Sequence, residues 1–227
     1  MKKTFILSMA FVAMSAFSAV AQNDIKLYAG AAFPNGKFGE FKEDYFSLTN
    51  GQKYGGAGTG LSLGVSFKYN ITGMKGLGII ASANLMFNPL NGDANDFIDE
   101  AEMEENFDIS RPKYISIPLL VGGNFSYPLS NEVSIFAEAQ IGVNFRIITD
   151  MTMEQGSSEI TMSYSNATTF AYQVGAGLEF KKKYSISVEY YNLGAGKMKG
   201  KLSPGSDTMT GAKLTPALIA LRLGYML

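Results

Sequence analysis

The chain has 227 residues, 46% of them hydrophobic and 25 of them glycine, with 17% charged and neither Cys nor His. Those two absences exclude a disulfide framework, a lipid-modified Cys, the usual zinc sites and most nucleophile–base pairs. A formal net charge of −1 leaves no basic footprint for nucleic acid, and no composition shift marks a linker between domains.

Lys2 and Lys3 precede an apolar run over residues 5–17, and Ala19-Val20-Ala21 supplies a small-x-small cleavage site. Residues 1–21 therefore read as a secretory signal peptide, leaving 22–227 as one mature domain. Setting Lys2 and Lys3 aside leaves 17 basic against 20 acidic residues, a balance near 3 negative. No later segment has the long uninterrupted apolar run of a transmembrane helix.

The chain instead alternates with period two. Residues 25–33 place Ile25, Leu27, Ala29, Ala31 and Phe33 on one face and Lys26, Tyr28, Gly30 and Ala32 on the other. After a polar loop over 34–56, residues 57–69 set Ala57, Thr59, Leu61, Leu63, Val65, Phe67 and Tyr69 against Gly58, Gly60, Ser62, Gly64, Ser66 and Lys68. At about 3.4 Å per residue and a tilt of about 40°, a strand of about thirteen residues rises about 30 Å, the thickness of a bilayer's hydrocarbon core. A turn over 70–76 leads to a third strand, 77–88, with Leu77, Ile79, Ala81, Ala83, Leu85 and Phe87 opposite Ser82, Asn84 and Asn88.

A long acidic loop, 89–111, precedes a fourth strand over 113–126 with Ile115, Ile117, Leu119, Val121 and Phe125 in phase. Pro118 brings no N–H to its ladder, a loss that a bulge could absorb, so local irregularity is expected there. Beyond the turn at 127–132, the fifth strand sets Val133, Ile135, Ala137, Ala139, Ile141, Val143 and Phe145 against Ser134, Glu138, Gln140, Asn144 and Arg146. A loop over 148–168 leads to the sixth, with Phe170, Tyr172, Val174, Ala176, Leu178 and Phe180 opposite Gln173, Gly175, Gly177 and Glu179. After the turn 181–183 the seventh carries Tyr184, Ile186, Val188 and Tyr190 against Ser185, Ser187, Glu189 and Tyr191. A Gly- and Lys-rich loop, 194–213, precedes the last strand, where Ala217, Ile219, Leu221, Leu223, Tyr225 and Leu227 share a phase and Arg222 takes the other; Pro216 stands in its first turn.

The connections alternate long and short throughout. That asymmetry predicts an all-β fold: an eight-stranded antiparallel up-and-down transmembrane β-barrel with long extracellular loops and short periplasmic turns. Aromatic residues on the apolar phase fall in two groups. Phe33, Phe87, Phe145, Phe170, Tyr172 and Tyr190 lie near the long-loop ends; Phe67, Tyr69, Phe125, Phe180, Tyr184 and Tyr225 lie near the short-turn ends, as two membrane girdles require. A soluble barrel of lipocalin type would turn the apolar face inward. The polar face, mostly Gly, Ser and Asn with few charges, suits a narrow crowded lumen and would make a poor soluble surface.

The signal peptide, the eight alternating segments, the run Tyr114-Ile115-Ser116-Ile117-Pro118-Leu119-Leu120 and the end Leu223-Gly224-Tyr225-Met226-Leu227 resemble the porin-like family of small outer-membrane β-barrel proteins. The resemblance spans essentially the whole mature chain. It implies location in the outer membrane, contact with outer-membrane lipids and delivery by the barrel-insertion machinery. That machinery reads a terminal aromatic and one two positions earlier; Tyr225 matches and Leu227 departs from the pattern. No catalytic residues and no cofactor come with the family.

Two constellations remain as candidate sites. In the acidic loop, Asn91, Asp93, Asn95, Asp99 and Glu102 fall at positions 1, 3, 5, 9 and 12 of a calcium-loop template, with Asp96 in place of its turn glycine. The plainer reading is a solvated loop with a short helical stretch, so no metal is assigned. On the lumenal phase, Glu138, Glu189 and Arg222 stand at similar depths, and Lys26 lies on the strand that closes the barrel. Strands seven and eight are neighbours, which makes Glu189 the expected direct partner of Arg222, with Glu138 reaching across the lumen. Such a cluster reads as a static plug, or alternatively as a gate. The functional expectation is a non-catalytic barrel with a structural role or one in binding an extracellular ligand or protein through its loops. A narrow passive pore is the alternative; a lipid-modifying enzyme would ordinarily want a His-assisted Ser.

Overall fold

The computed structural model describes residues 23–42, 55–105, 108–156, 158–203 and 208–227; the signal peptide lies outside the described residues. In chain order the strands are β1 (Asn23–Pro34), β2 (Gly60–Asn70), β3 (Leu77–Asn88), β4 (Asp108–Ile109), β5 (Tyr114–Pro128), β6 (Val133–Ile148), β7 (Met151–Gln155), β8 (Ser158–Tyr164), β9 (Ala167–Phe180), β10 (Tyr184–Asn192), β11 (Gly196–Ser203), β12 (Thr208–Leu214) and β13 (Ala217–Met226). One helix, α1 (Gly92–Glu105), lies between β3 and β4.

Eight strands, β1, β2, β3, β5, β6, β9, β10 and β13, pair antiparallel in sequence order, and β13 returns to β1 to close the barrel. Closure is in register along most of β1, from Lys26↔Met226 to Pro34↔Leu218, so no sheet edge is left inside a membrane. The apolar phase faces outward: Leu63 is 50% exposed, Val121 52%, Val174 47% and Val188 55%, while the alternate residues Ser62, Asn124, Gln173 and Ser187 are buried inside. A surface with this much aliphatic area is stable only against lipid. Tyr184 and Tyr225 meet edge to face at one rim, with ring centres 5.7 Å apart, and Tyr172 and Tyr190 lie 6.2 Å apart towards the other, within the two aromatic girdles.

The local irregularity expected at Pro118 is present, on the β3 side alone and without an added residue. Pairing of β5 with β6 runs straight through Pro118↔Asn144, and β3 keeps its register with β5 on both sides, from Ala83↔Leu119 to Met86↔Ser116. The β3 ladder merely opens at the two intervening positions, where the proline has no N–H to offer. Pro216 stands just before β13 rather than within it, and its carbonyl accepts from the Leu193 N–H at 2.8 Å. The second strand starts at Gly60, not 57; Ala57 forms an isolated bridge to Leu90 above the rim.

Among the described residues, the long connections carry strands and a helix of their own. A second sheet of five strands, in the order β12-β11-β8-β7-β4, stands outside the barrel on the long-loop side. Helix α1 buries Ala94 and Ile98, one turn apart, and packs Ala101 on the same side. The apolar core therefore sits at the outer end of the lumen. Inward-facing Ala32, Met86, Tyr114 and Leu120 of the barrel meet Phe38, Ile98, Met151 and Leu214 of the connections there.

Candidate functional site

Alternation along β10 and β13 aims Glu189 and Arg222 at the same part of the lumen. Arg222 Nη1 stands 3.0 Å from Glu189 Oε2, with side-chain exposures of 1% and 3%. The guanidinium also donates to Asn84 Oδ1 at 2.9 Å and to Ser62 Oγ at 2.7 Å, joining β13 and β10 to β3 and β2. The rings of Tyr28 and Tyr191 flank it, with centroids 5.2 and 5.0 Å from Cζ. Glu189 in turn accepts from Ser187 Oγ at 2.8 Å and from the Tyr191 hydroxyl. A planar fork with fixed donors suits this multi-strand contact in a way that a lysine would not.

Glu138 does not touch Arg222; it accepts from Gln173 Nε2 at 2.9 Å and from Gln140 Nε2 at 3.3 Å. Gln140 Oε1 accepts from Ser82 Oγ at 2.8 Å, and Asn84 Nδ2 donates to Ser82 Oγ at 3.3 Å, so one network runs from Glu138 through β3 to Arg222. Lys26 forms no ion pair among the described residues. Its Nζ stands 4.3 Å from the Phe136 ring centre and 5.5 Å from that of Tyr28. Glycine makes the room: a Cβ on Gly64 would overlap Asn84 Oδ1, and one on Gly175 would lie 2.6 Å from Glu189 Cγ. Towards the short-turn end a small cavity is lined by Asp24, Lys26, Ser66, Lys68 and Asn124.

Above this polar layer the mouth is shut by the apolar core. The Tyr114 hydroxyl donates to the Gly55 carbonyl, and its ring meets Phe38 edge-on at 5.1 Å. Arg146, buried on β6, donates to the Leu214 carbonyl at 3.1 Å and the Gly196 carbonyl at 3.2 Å, and so holds both feet of the β11–β12 hairpin. Asn88 donates to the carbonyls of Ala32 at 3.1 Å and Gly58 at 2.9 Å.

The calcium template is not wrapped around a common point, because its residues lie on α1 and at its start. Asn91 caps the helix, its Oδ1 accepting from the Ala94 N–H at 2.9 Å. Asp99 pairs with Arg111, and Glu102 accepts from Arg111 at 3.2 Å and from the Ile109 N–H at 2.9 Å. No group of three or more acidic side chains among the described residues could hold a metal ion.

The partners that the residue pattern did not single out are Ser62, Asn84, Gln140, Gln173, Tyr28 and Tyr191. Each stands on the lumenal phase, but their depths depend on the stagger between strands, which alternation alone does not encode.

The description "Outer membrane protein beta-barrel domain" fits residues 4–226. The chain belongs to this family. No curated protein matches the sequence. Among solved structures, the outer-membrane protein OprG of Pseudomonas aeruginosa shares the fold at 12% identity over 90% of this chain and 96% of its own, with a TM-score of 0.50. The chain is also similar to the outer-membrane protein AlkL, at 11% identity over 92% of each chain and a TM-score of 0.47. A major outer-membrane protein of Thermus thermophilus aligns at 11% identity over 90% of this chain and 99% of its own, with a TM-score of 0.46. The protein is thus an outer-membrane β-barrel whose apolar face contacts lipid.

Proposed function

We propose that this barrel is closed to solute flow and works through its outer surface, as a rigid membrane anchor for a folded extracellular platform that binds a ligand or partner. The observation that carries this reading is the double closure of the lumen. Arg222 and Glu189 fill its middle with contacts to four strands, and an apolar core built from barrel and loop residues fills its outer end. An eight-stranded barrel has an interior just wide enough for side chains, so filling it on two levels leaves no aqueous path. The Arg222–Glu189 pair, linked through Asn84, Ser82 and Gln140 to Glu138, is then a static plug rather than a gate, with Lys26 beside it on the Phe136 ring.

No catalytic role enters this reading, and neither a metal nor a cofactor takes part. Residues 1–21 act as the export signal, and Tyr225 serves the insertion machinery. Solute entry into proteoliposomes tests closure. Vesicles bearing the protein should swell in small sugars and amino acids no faster than protein-free vesicles; rapid swelling would favour the narrow pore instead.

A further inference from the structure

We infer that Arg146 and Asn144, near the outer end of β6, bind a small oxyanion that carries a hydroxyl, a hydroxycarboxylate or hydrogen phosphate. The inference names a ligand class for the platform proposed above and rests on that reading, not on the closed lumen. Of the three arginines in the chain, Arg111 pairs with Asp99 and Glu102, and Arg222 pairs with Glu189. Arg146 is 2% exposed, yet it forms no ion pair among the described residues. The one ionisable side chain among them near enough to act on it is Tyr114, whose phenol is neutral at pH 7. A guanidinium keeps its charge at any ordinary pH, and a buried charge is costly without a countercharge.

The hydrogen bonds point the same way. The two terminal nitrogens of Arg146 each donate to one backbone carbonyl, of Leu214 and of Gly196, while its buried Nε–H has no partner. Asn144 stands two positions back on the same face of β6 and is fully buried. Its Nδ2 donates to the Leu193 carbonyl at 3.4 Å, and its Oδ1 has no donor. One group therefore lacks an acceptor and a negative charge, and its neighbour lacks a donor. An oxyanion meets Nε–H and supplies the charge, in the planar geometry that a guanidinium offers to carboxylate and phosphate. A hydroxyl of the same molecule donates to Asn144 Oδ1. A water placed there would complete both hydrogen bonds but leave the charge uncompensated. Gly196 keeps the ligand small, because the foot of the hairpin lies so close that a Cβ on it would stand 2.7 Å from Arg146 Nη2. Entry is from the outer side, as the foot parts from the mouth.

With three arginines in the chain, isotope-labelled arginine gives three Nε–H resonances, each assigned by magnetic resonance through its side chain to the backbone. The full-length protein in nanodiscs is titrated with lactate and with inorganic phosphate, beside propionate and sulfate, which resemble them but carry no hydroxyl at neutral pH. A saturable displacement of the Arg146 resonance is expected with lactate if the ligand is a carboxylate and with phosphate if it is a phosphate. Its affinity should exceed that of the hydroxyl-free counterpart by about tenfold. Asn144→Leu should erase that difference while the Arg146 resonance still responds. A still resonance with both lactate and phosphate, equal affinities within both pairs, or an unchanged preference in Asn144→Leu would overturn the inference. Displacement of the Arg111 resonance alone would also overturn it, while leaving a ligand on the platform. Swelling assays read the lumen separately, so this site can fail while closure stands.

Discussion

Deleting the Arg222 side chain should cost far more than deleting a surface charge. With the pair at 3.0 Å, the attraction at an effective dielectric of about 20 is about 5 kcal/mol, and it is opposed by the desolvation of two nearly inaccessible groups. Arg222→Ala removes the attraction but leaves Glu189 buried, with only the hydroxyls of Ser187 and Tyr191 to solvate it, and it also strips donors from Asn84 and Ser62. The expected loss is about 3–5 kcal/mol. Replacing both partners, Arg222→Met with Glu189→Gln, removes the stranded charge and should cost clearly less than the single change. Urea unfolding of the reconstituted barrel, followed by circular dichroism, gives both numbers. A loss under about 1 kcal/mol for Arg222→Ala would show a solvated pair and refute the dry lumen on which the reasoning depends.

Three further outcomes follow from the same structure. Leu63→Arg near mid-membrane should destabilise the inserted barrel by about 2–4 kcal/mol, and a Cys at Leu63 should resist water-soluble thiol reagents while a lipid-borne quencher reaches its label. Gly64→Ala puts a methyl 2.9 Å from the Tyr28 ring and closer still to Asn84 Oδ1, so an unfolding loss of about 1–3 kcal/mol is expected; a neutral result would mean that the lumen is looser than described. Calorimetry of the folded protein should show no saturable calcium binding at Asn91, Asp93, Asn95, Asp99 and Glu102, whereas Asn91→Ala should weaken the capped helix by about 1 kcal/mol.

The barrel was legible because each strand answers to one variable, the side of the wall on which a residue stands. Leu63 beside Ser62, or Val188 beside Glu189, reports that variable directly, and the tight turns at 181–183 and 129–132 fix which strands are neighbours. Glu189 and Arg222 share such a neighbouring pair, β10 and β13, so their approach could be expected from the order of strands. The contacts of Arg222 with Asn84 and Ser62 cross the lumen between residues 138 and 160 positions apart, and they depend on stagger and side-chain reach. Local chemistry hid the outer lid. The connection holding α1 is dominated by Asp and Glu, yet Ala94, Ile98 and Ala101 on one side of the helix pack it on the apolar core. β11 and β12 read as a Gly- and Lys-rich loop because Gly196, Gly200 and Gly211 interrupt the apolar alternation that marks the barrel strands. Pro118 was legible as well, since its missing N–H implies the local opening seen in the ladder with β3.

Single-channel recording in planar bilayers tests closure of the lumen most directly. The wild-type protein should give at most small, infrequent openings, and Arg222→Ala should give larger or more frequent ones as the middle of the barrel empties. A steady, large conductance from the wild-type barrel would contradict the plug and establish an open pore.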